Sequence, residues 1–241
     1  MTKTADRRHS HWAAHVMGWG LLLVAGSADA ATYYVATTGE DSRSCSEAQN
    51  VATPRRTPEA GITCLASGDT LLLRGGVYEL LTYNVYPPAG TSWSTATTIA
   101  SAPGETATIR PPGNGEAFAI WNTRYVILDR LVFDGSNHTG DAFLSEISCD
   151  YDRTLNQWIP ETCADHIRIQ NSEFKNAGGT ALGSGKGSEN NLTQGHHEFI
   201  NNSVHDSNRW TECDQAEAFY MGTDSDLYVG NVFHDNEGTA I

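Results

Sequence analysis

Apolar residues along this chain come in short bursts rather than long stripes. Thr70-Leu71-Leu72-Leu73, Thr97-Thr98-Ile99-Ala100, Thr106-Ala107-Thr108-Ile109, Ala117-Phe118-Ala119-Ile120 and Tyr125-Val126-Ile127-Leu128 are bounded by Gly, Pro, Asn or Asp. Bursts of that length, rich in β-branched residues and closed by turn formers, predict strands. After residue 66 no apolar stripe of helical period exceeds two turns. Before it, Thr32-Tyr33-Tyr34-Val35 predicts a first strand, and Pro58 to Leu65 a short helix over one end of the fold.

The second half has an internal grammar. Ile167 to Phe174 alternates, places Asn171-Ser172 at a corner, and resumes on an aromatic residue. Phe199 to Val204 repeats that corner with Asn201-Asn202, and Val229 to Phe233 does so more loosely with Gly230-Asn231. A further short strand is expected after each corner, at Asp141–Leu144, Gly179–Leu182 and Glu217–Tyr220. Asparagine tolerates left-handed backbone angles, and asparagines stacked from unit to unit can form an amide ladder. The phrase Phe174–Leu182 returns 59 positions later as Phe233–Ile241, and Val204-His205-Asp206-Ser207-Asn208 precedes that second copy by 29. Self-similarity at such a period marks an array whose units bury their apolar faces only by stacking. The pattern predicts an all-β parallel solenoid.

Tyr33-Tyr34-Val35-Ala36-Thr37-Thr38-Gly39-Glu40-Asp41-Ser42 is followed by Gly68-Asp69-Thr70-Leu71-Leu72-Leu73-Arg74-Gly75-Gly76-Val77-Tyr78. Together with Thr98 to Glu105 and the Asn-Ser-x-Phe corner, this resembles the exported right-handed parallel β-helix proteins of the pectate-lyase-like group, over essentially all of residues 32–241. The resemblance implies a right-handed helix of three-sided coils, with a cap region at 31–66 and coils over 67–241. It also implies elimination chemistry on uronate polymers, with Lys or Arg as base and calcium held by Asp or Glu. The motifs that carry it specify scaffold positions, so they speak to fold before activity. The repeated phrase stops at Ile241, where its first copy runs on into Gly183–Asn190, so a C-terminally incomplete solenoid is expected.

The N-terminus and the charge narrow the setting. Lys3, Arg7 and Arg8, an apolar run from Val16 to Ala25, and Ala28-Asp29-Ala30 read as a signal peptide over 1–30, cleaved after Ala30. The run is too short for a membrane anchor, which needs about 20 apolar residues. The net charge is −14, from 15 bases and 29 acids. Removing residues 1–30 takes away three bases and two acids, leaving 12 against 27, or −15. Such a surface repels nucleic acid and anionic membranes. In an exported chain Cys45–Cys64 and Cys149–Cys163 are the local disulfide pairs, and Cys213 is left over. A secreted monomer acting on a uronate-containing polysaccharide is the expectation.

Candidate chemistry falls in three insertions. Glu146 to Ala164 carries Asp150, Tyr151, Asp152, Arg153 and Trp158; Gly183 to Asn190 carries Lys186; Asn208 to Gln215 carries Arg209, Trp210 and Asp214 just before Glu217. Lys186 lacks the Gly-Lys-Ser/Thr ending of a phosphate loop. For elimination next to a uronate carboxylate, Lys186 or Arg209 is the candidate base. Asp206, Asp214, Glu217 and Asp235 are the candidate calcium or electrostatic groups. Each has a plainer reading: a solvated loop lysine, an arginine stacked on Trp210, and aspartates that bond turns. Trp158 and Trp210 are candidate sugar platforms, as is Trp121, because aromatic faces stack on pyranose rings. His205 and His234 recur at matched positions and are further substrate-binding candidates, with a metal pair or a solvent-facing ladder as alternatives. His196-His197 opens a coil with no acid at ligand spacing. A glycoside hydrolase using Asp214 and Glu217, or a non-catalytic carbohydrate-binding protein, are the rival functions.

Overall fold

The computed structural model of the chain describes residues 29–82, 85–113, 115–138, 143–185, 195–207, 217–223 and 225–240. The bursts are strands, and they stack in three parallel sheets. The first sheet runs through Thr32–Val35, Thr70–Leu73, Thr97–Ser101, Arg124–Asp129, Asp165–Gln170, Glu198–Ile200 and Leu227–Val229. The second takes Gly76–Tyr78, Ala107–Ile109, Leu131–Asp134, Glu173–Lys175, Ser203–His205 and Val232–His234. The third takes Phe118–Ile120, Ser145–Ile147, Leu182–Ser184 and Phe219–Met221. The chain visits the sheets in turn, so sheet neighbours belong to successive coils. This is an all-β parallel β-helix.

The core follows from register. Leu71, Ile99, Leu128, Ile169 and Phe199 pair in one inward row of the first sheet, each fully buried. In the second sheet Ile109, Phe133, Phe174, Val204 and Phe233 form the matching row. Phe133 stacks on Phe174 at 4.7 Å. The repeated phrase is therefore separated by two coils, with Val204 standing between Phe174 and Phe233. A slip of one residue would turn every one of these side chains outward, so the apolar rows fix the register.

The corners are made of residues that accept left-handed angles. Arg130, Asn171, Asn201 and Gly230 turn the chain from the first sheet to the second with φ of 55°, 52°, 54° and 66°. At Gly230 a Cβ would stand 2.2 Å from Asn201 Oδ1, so a side chain there would displace the Asn201 amide. The next residue carries the expected amide ladder. Asn202 Oδ1 accepts from the Ser172 N–H at 3.0 Å, and Asn231 Oδ1 accepts from the Asn202 N–H at 2.9 Å. Asn202 Nδ2 donates to Ile169 O, and Asn231 Nδ2 to Phe199 O. Asn236 repeats the arrangement one corner on, beneath Ser207.

Three strands sit later in the chain than the sequence pattern places them. The third sheet uses Ser145–Ile147, Leu182–Ser184 and Phe219–Met221 rather than 141–144, 179–182 and 217–220. The reason is that Ser145 and Ser184 face inward and are fully buried, which interrupts the apolar alternation that marks a strand. At the N-terminal end the expected helix spans Pro58–Ile62, capped by Thr57 Oγ1 accepting from the Ala60 N–H. A second helix, Cys45–Ala48, begins with a Ser44/Glu47 capping box. Disulfides join Cys45 to Cys64 and Cys149 to Cys163, as the spacing suggested. Such bonds suit an extracellular or other oxidising compartment. No described helix is long and apolar enough to cross a membrane.

Asn202 is buried and bonds both neighbouring coils, so Asn202→Ala should cost about 1–3 kcal/mol by stranding backbone partners. A guanidinium unfolding curve with an unchanged midpoint would contradict the ladder's structural role.

Candidate functional site

The connections between the first and second sheets need only one or two residues at 130, 171–172, 201–202 and 230–231. The third sheet is served by much longer ones. Residues 135–144 lead into Ser145–Ile147 and 148–164 lead away from it; 185–197 leave Leu182–Ser184, and 206–218 reach Phe219–Met221. Long connections on a rigid scaffold are where binding groups collect, so this side of the coil is the place to look.

Register sets the outward row of the third sheet as Ala119, Glu146, Gly183 and Tyr220. Gly183 lets the Phe143 ring lie on the backbone: a Cβ there would stand 2.8 Å from Phe143 Cδ2. Phe143 in turn stacks on Tyr220 at 6.1 Å. Beyond Glu146 rises an antiparallel hairpin, Asp150–Asp152 against Gln157–Ile159, tied at its base by Cys149–Cys163. Its tip is braced by hydrogen bonds: Asp152 Oδ1 accepts from the Thr154 and Leu155 N–H groups and Tyr151 Oη donates to Asn156 Oδ1. Glu116, Trp121, Glu146, Ser148, Tyr151 and Arg153 line a cavity of about 460 Å³ beside it.

The two acids in that cavity hydrogen-bond to each other. Two carboxylates cannot do this unless one holds a proton. Burial, then the charge of Glu146 and the bond to it, pushes Glu116 up to about 7. Burial also raises Glu146, against the opposing hydrogen bonds from Ser148 and Glu116. Trp121 is braced by Tyr86 at 4.9 Å, and Arg153 is exposed at the rim. The cavity therefore joins a carboxyl pair sharing a proton, a further acid in Asp150, the cation Arg153 and two aromatic faces. It can donate a hydrogen bond to an anion and offer flat apolar surface to a ring.

No family model matches the chain, and no curated protein does. Solved structures do. The pectate lyase Pel9A matches with a TM-score of 0.58 over 87% of this chain and 51% of its own, at 15% identity. The chain has the pectate-lyase-like parallel β-helix fold. It spans about half the length of Pel9A. A rhamnogalacturonan lyase matches at a TM-score of 0.49 and 10% identity, over 87% of this chain and 59% of that one. At such identity the likeness to Pel9A is one of backbone, and the pectate-lyase-like fold by itself assigns no chemistry.

On this β-helix the sequence candidates separate. Lys186, Arg209, Trp210, Cys213 and Asp214 lie outside the described residues, and so does the side chain of Trp158. Glu217 leads into the third sheet, half-buried, and its Oε2 has no hydrogen-bond partner among the described residues. His205 and His234 are brought together on the second sheet, with rings 4.7 Å apart and 10° from parallel. They are not on the side that holds Glu146. Asp206 and Asp235 are the left-handed corners that follow them, each hydrogen-bonded to the Nδ1 of its own histidine at 2.7 and 2.9 Å. Glu116 was missed because it merely precedes an apolar burst. Glu146 was noted only as the start of an insertion, and its outward position emerges from the register.

Folding favours the protonated form of Glu116, because its pKa rises from 4.5 to about 7. That contribution is complete below pH 4.5 and is lost as pH climbs through about 7. The melting temperature should therefore fall across this window, and less steeply in Glu116→Gln. Identical slopes in circular-dichroism melts of the two proteins would contradict a buried shared proton.

Proposed function

We propose that this β-helix binds acidic polysaccharide across the outward face of its third sheet and cleaves it by β-elimination, as a uronan lyase. The observation that supports this most is the proton-sharing Glu116–Glu146 pair in a cavity with Arg153, Trp121 and Tyr151. The fold shared with a protein named as a pectate lyase points the same way.

Elimination removes the proton on the carbon next to the uronate carboxylate. Its electron pair forms a carbon–carbon double bond as the glycosidic oxygen leaves with the bonding pair and gains a proton. The carboxylate must be neutralised for that proton to become acidic enough to lose. Arg153 at the rim supplies the positive charge that meets the carboxylate, and Glu116, protonated up to about pH 7, can donate to it only by turning its one proton away from Glu146. The sugar ring stacks on Trp121 or Tyr151. Lys186 or Arg209 is the base that takes the proton. Calcium, if bound, would be held by Glu217 with Asp214 and would add charge neutralisation; the buried Glu217 Oε2, without a hydrogen-bond partner among the described residues, suits an oxygen-ligated cation. Asp206 and Asp235 are the poorer ligands, since their carboxylates already bond His205 and His234.

Hydrolysis by the cavity acids is disfavoured by their closeness. Glycosidase carboxyls stand about 5 Å or more apart, across the bond they cut, and two hydrogen-bonded acids leave no room for it.

Incubation with polygalacturonate or alginate and calcium should generate the ultraviolet absorbance of an unsaturated product. Alanine at Lys186 or Arg209 should abolish it in one case, and Arg153→Ala should raise KM, with circular-dichroism spectra unchanged. New reducing ends without absorbance would replace elimination by hydrolysis. Binding with neither product would reject catalysis.

A further inference from the structure

A second cluster lies at the edge where the third sheet hands the chain to the first. Asp165 opens the strand Asp165–Gln170 and pairs with Arg124 of the coil before; Gly195 of the coil after bridges to it. The Asp165 N–H donates to Thr123 O and the His166 N–H to Gly195 O, so three coils are locked together here. Tyr125, His166 and His196 occupy equivalent positions and share left-handed φ values of 51°, 52° and 55°. Their rings consequently meet: Tyr125 lies tilted by 34° against His166 at 4.4 Å, and His166 stacks on His196 at 4.9 Å and 10°.

That stacking aims both histidines at one carboxylate. His166 Nδ1 lies 2.7 Å from Asp165 Oδ2, and His196 Nδ1 3.3 Å from Asp165 Oδ1. One donor atom from each of the three residues falls within 4.8 Å of the others. Asp165 also lines a polar cavity of about 290 Å³ with Arg124 and Glu161, and the His196 side chain is 59% exposed, so a small ion reaches the cluster from solvent. Among the described residues no other group of three ligand side chains converges in this way.

We propose that Asp165, His166 and His196 bind a first-row transition-metal dication of the zinc type. Two imidazole nitrogens and one carboxylate oxygen suit that class, whereas calcium takes oxygen ligands alone. Three protein ligands leave a coordination position open to solvent. The ion would cross-link the coils bearing Asp165 and His196. The ion takes no part in the elimination chemistry proposed above.

The test is calorimetric titration of tag-free, chelator-treated full-length protein with zinc chloride and, separately, calcium chloride. One zinc per chain is expected, with affinity reduced about tenfold or more in His196→Ala. His234→Ala should leave zinc affinity unchanged. No zinc uptake, or equal affinity in wild type and His196→Ala, would overturn the site and leave a hydrogen-bonded cluster only. Calcium binding that His196→Ala also abolishes would overturn the assignment to the zinc class.

Discussion

A single coil of this protein cannot bury its own interior. Its apolar side chains are covered only by the coils before and after, so parallel stacking at about 4.8 Å, in register, is the constraint on which everything else rests. The register sets Leu71, Ile99, Leu128, Ile169 and Phe199 on one line and Phe133 on Phe174. It also sets polar groups on their counterparts. Asn202 and Asn231 become a ladder, and histidines stack at two separate places, His166 with His196 and His205 with His234.

The same register assembles the candidate site. Glu116 and Glu146 belong to adjacent coils, and stacking brings them into one cavity, where burial raises both toward the protonated form and contact with Glu146 raises Glu116 further. The coil thus raises the pKa of Glu116 to about 7, and that of Glu146 above its ordinary value. Aromatic faces accumulate around it because the insertions rise on this side: the disulfide-tied hairpin brings Tyr151, and Gly183 makes room for Phe143 against Tyr220. The sheets supply precision, and the connections between them supply variety.

The fold was legible in the sequence because its signals are local. Short bursts, Asn corners and the repeated phrase each report on a few consecutive residues, and the structure bears out the strands and the ladder. The third sheet was displaced because buried Ser145 and Ser184 stand where the pattern calls for apolar residues. The stacking of His205 on His234 could be read because both copies carry it. The acid pair and the Asp165–His166–His196 cluster could not, because each joins residues of different coils. Glu198, the acid nearest His196 in sequence, pairs with Arg168 instead, and Asp165 arrives from the coil below. Lys186, Arg209, Trp210 and Asp214, which carried the sequence-based chemistry, lie outside the described residues.

The central claim is that the outward face of the third sheet is the saccharide face. A crystal structure with a saturating oligogalacturonide tests it most directly. The account predicts sugar along the row from Glu146 past Gly183 to Tyr220, with a carboxylate against Glu116 and Arg153. Sugar bound over the first or second sheet, or none bound at saturation, would contradict it.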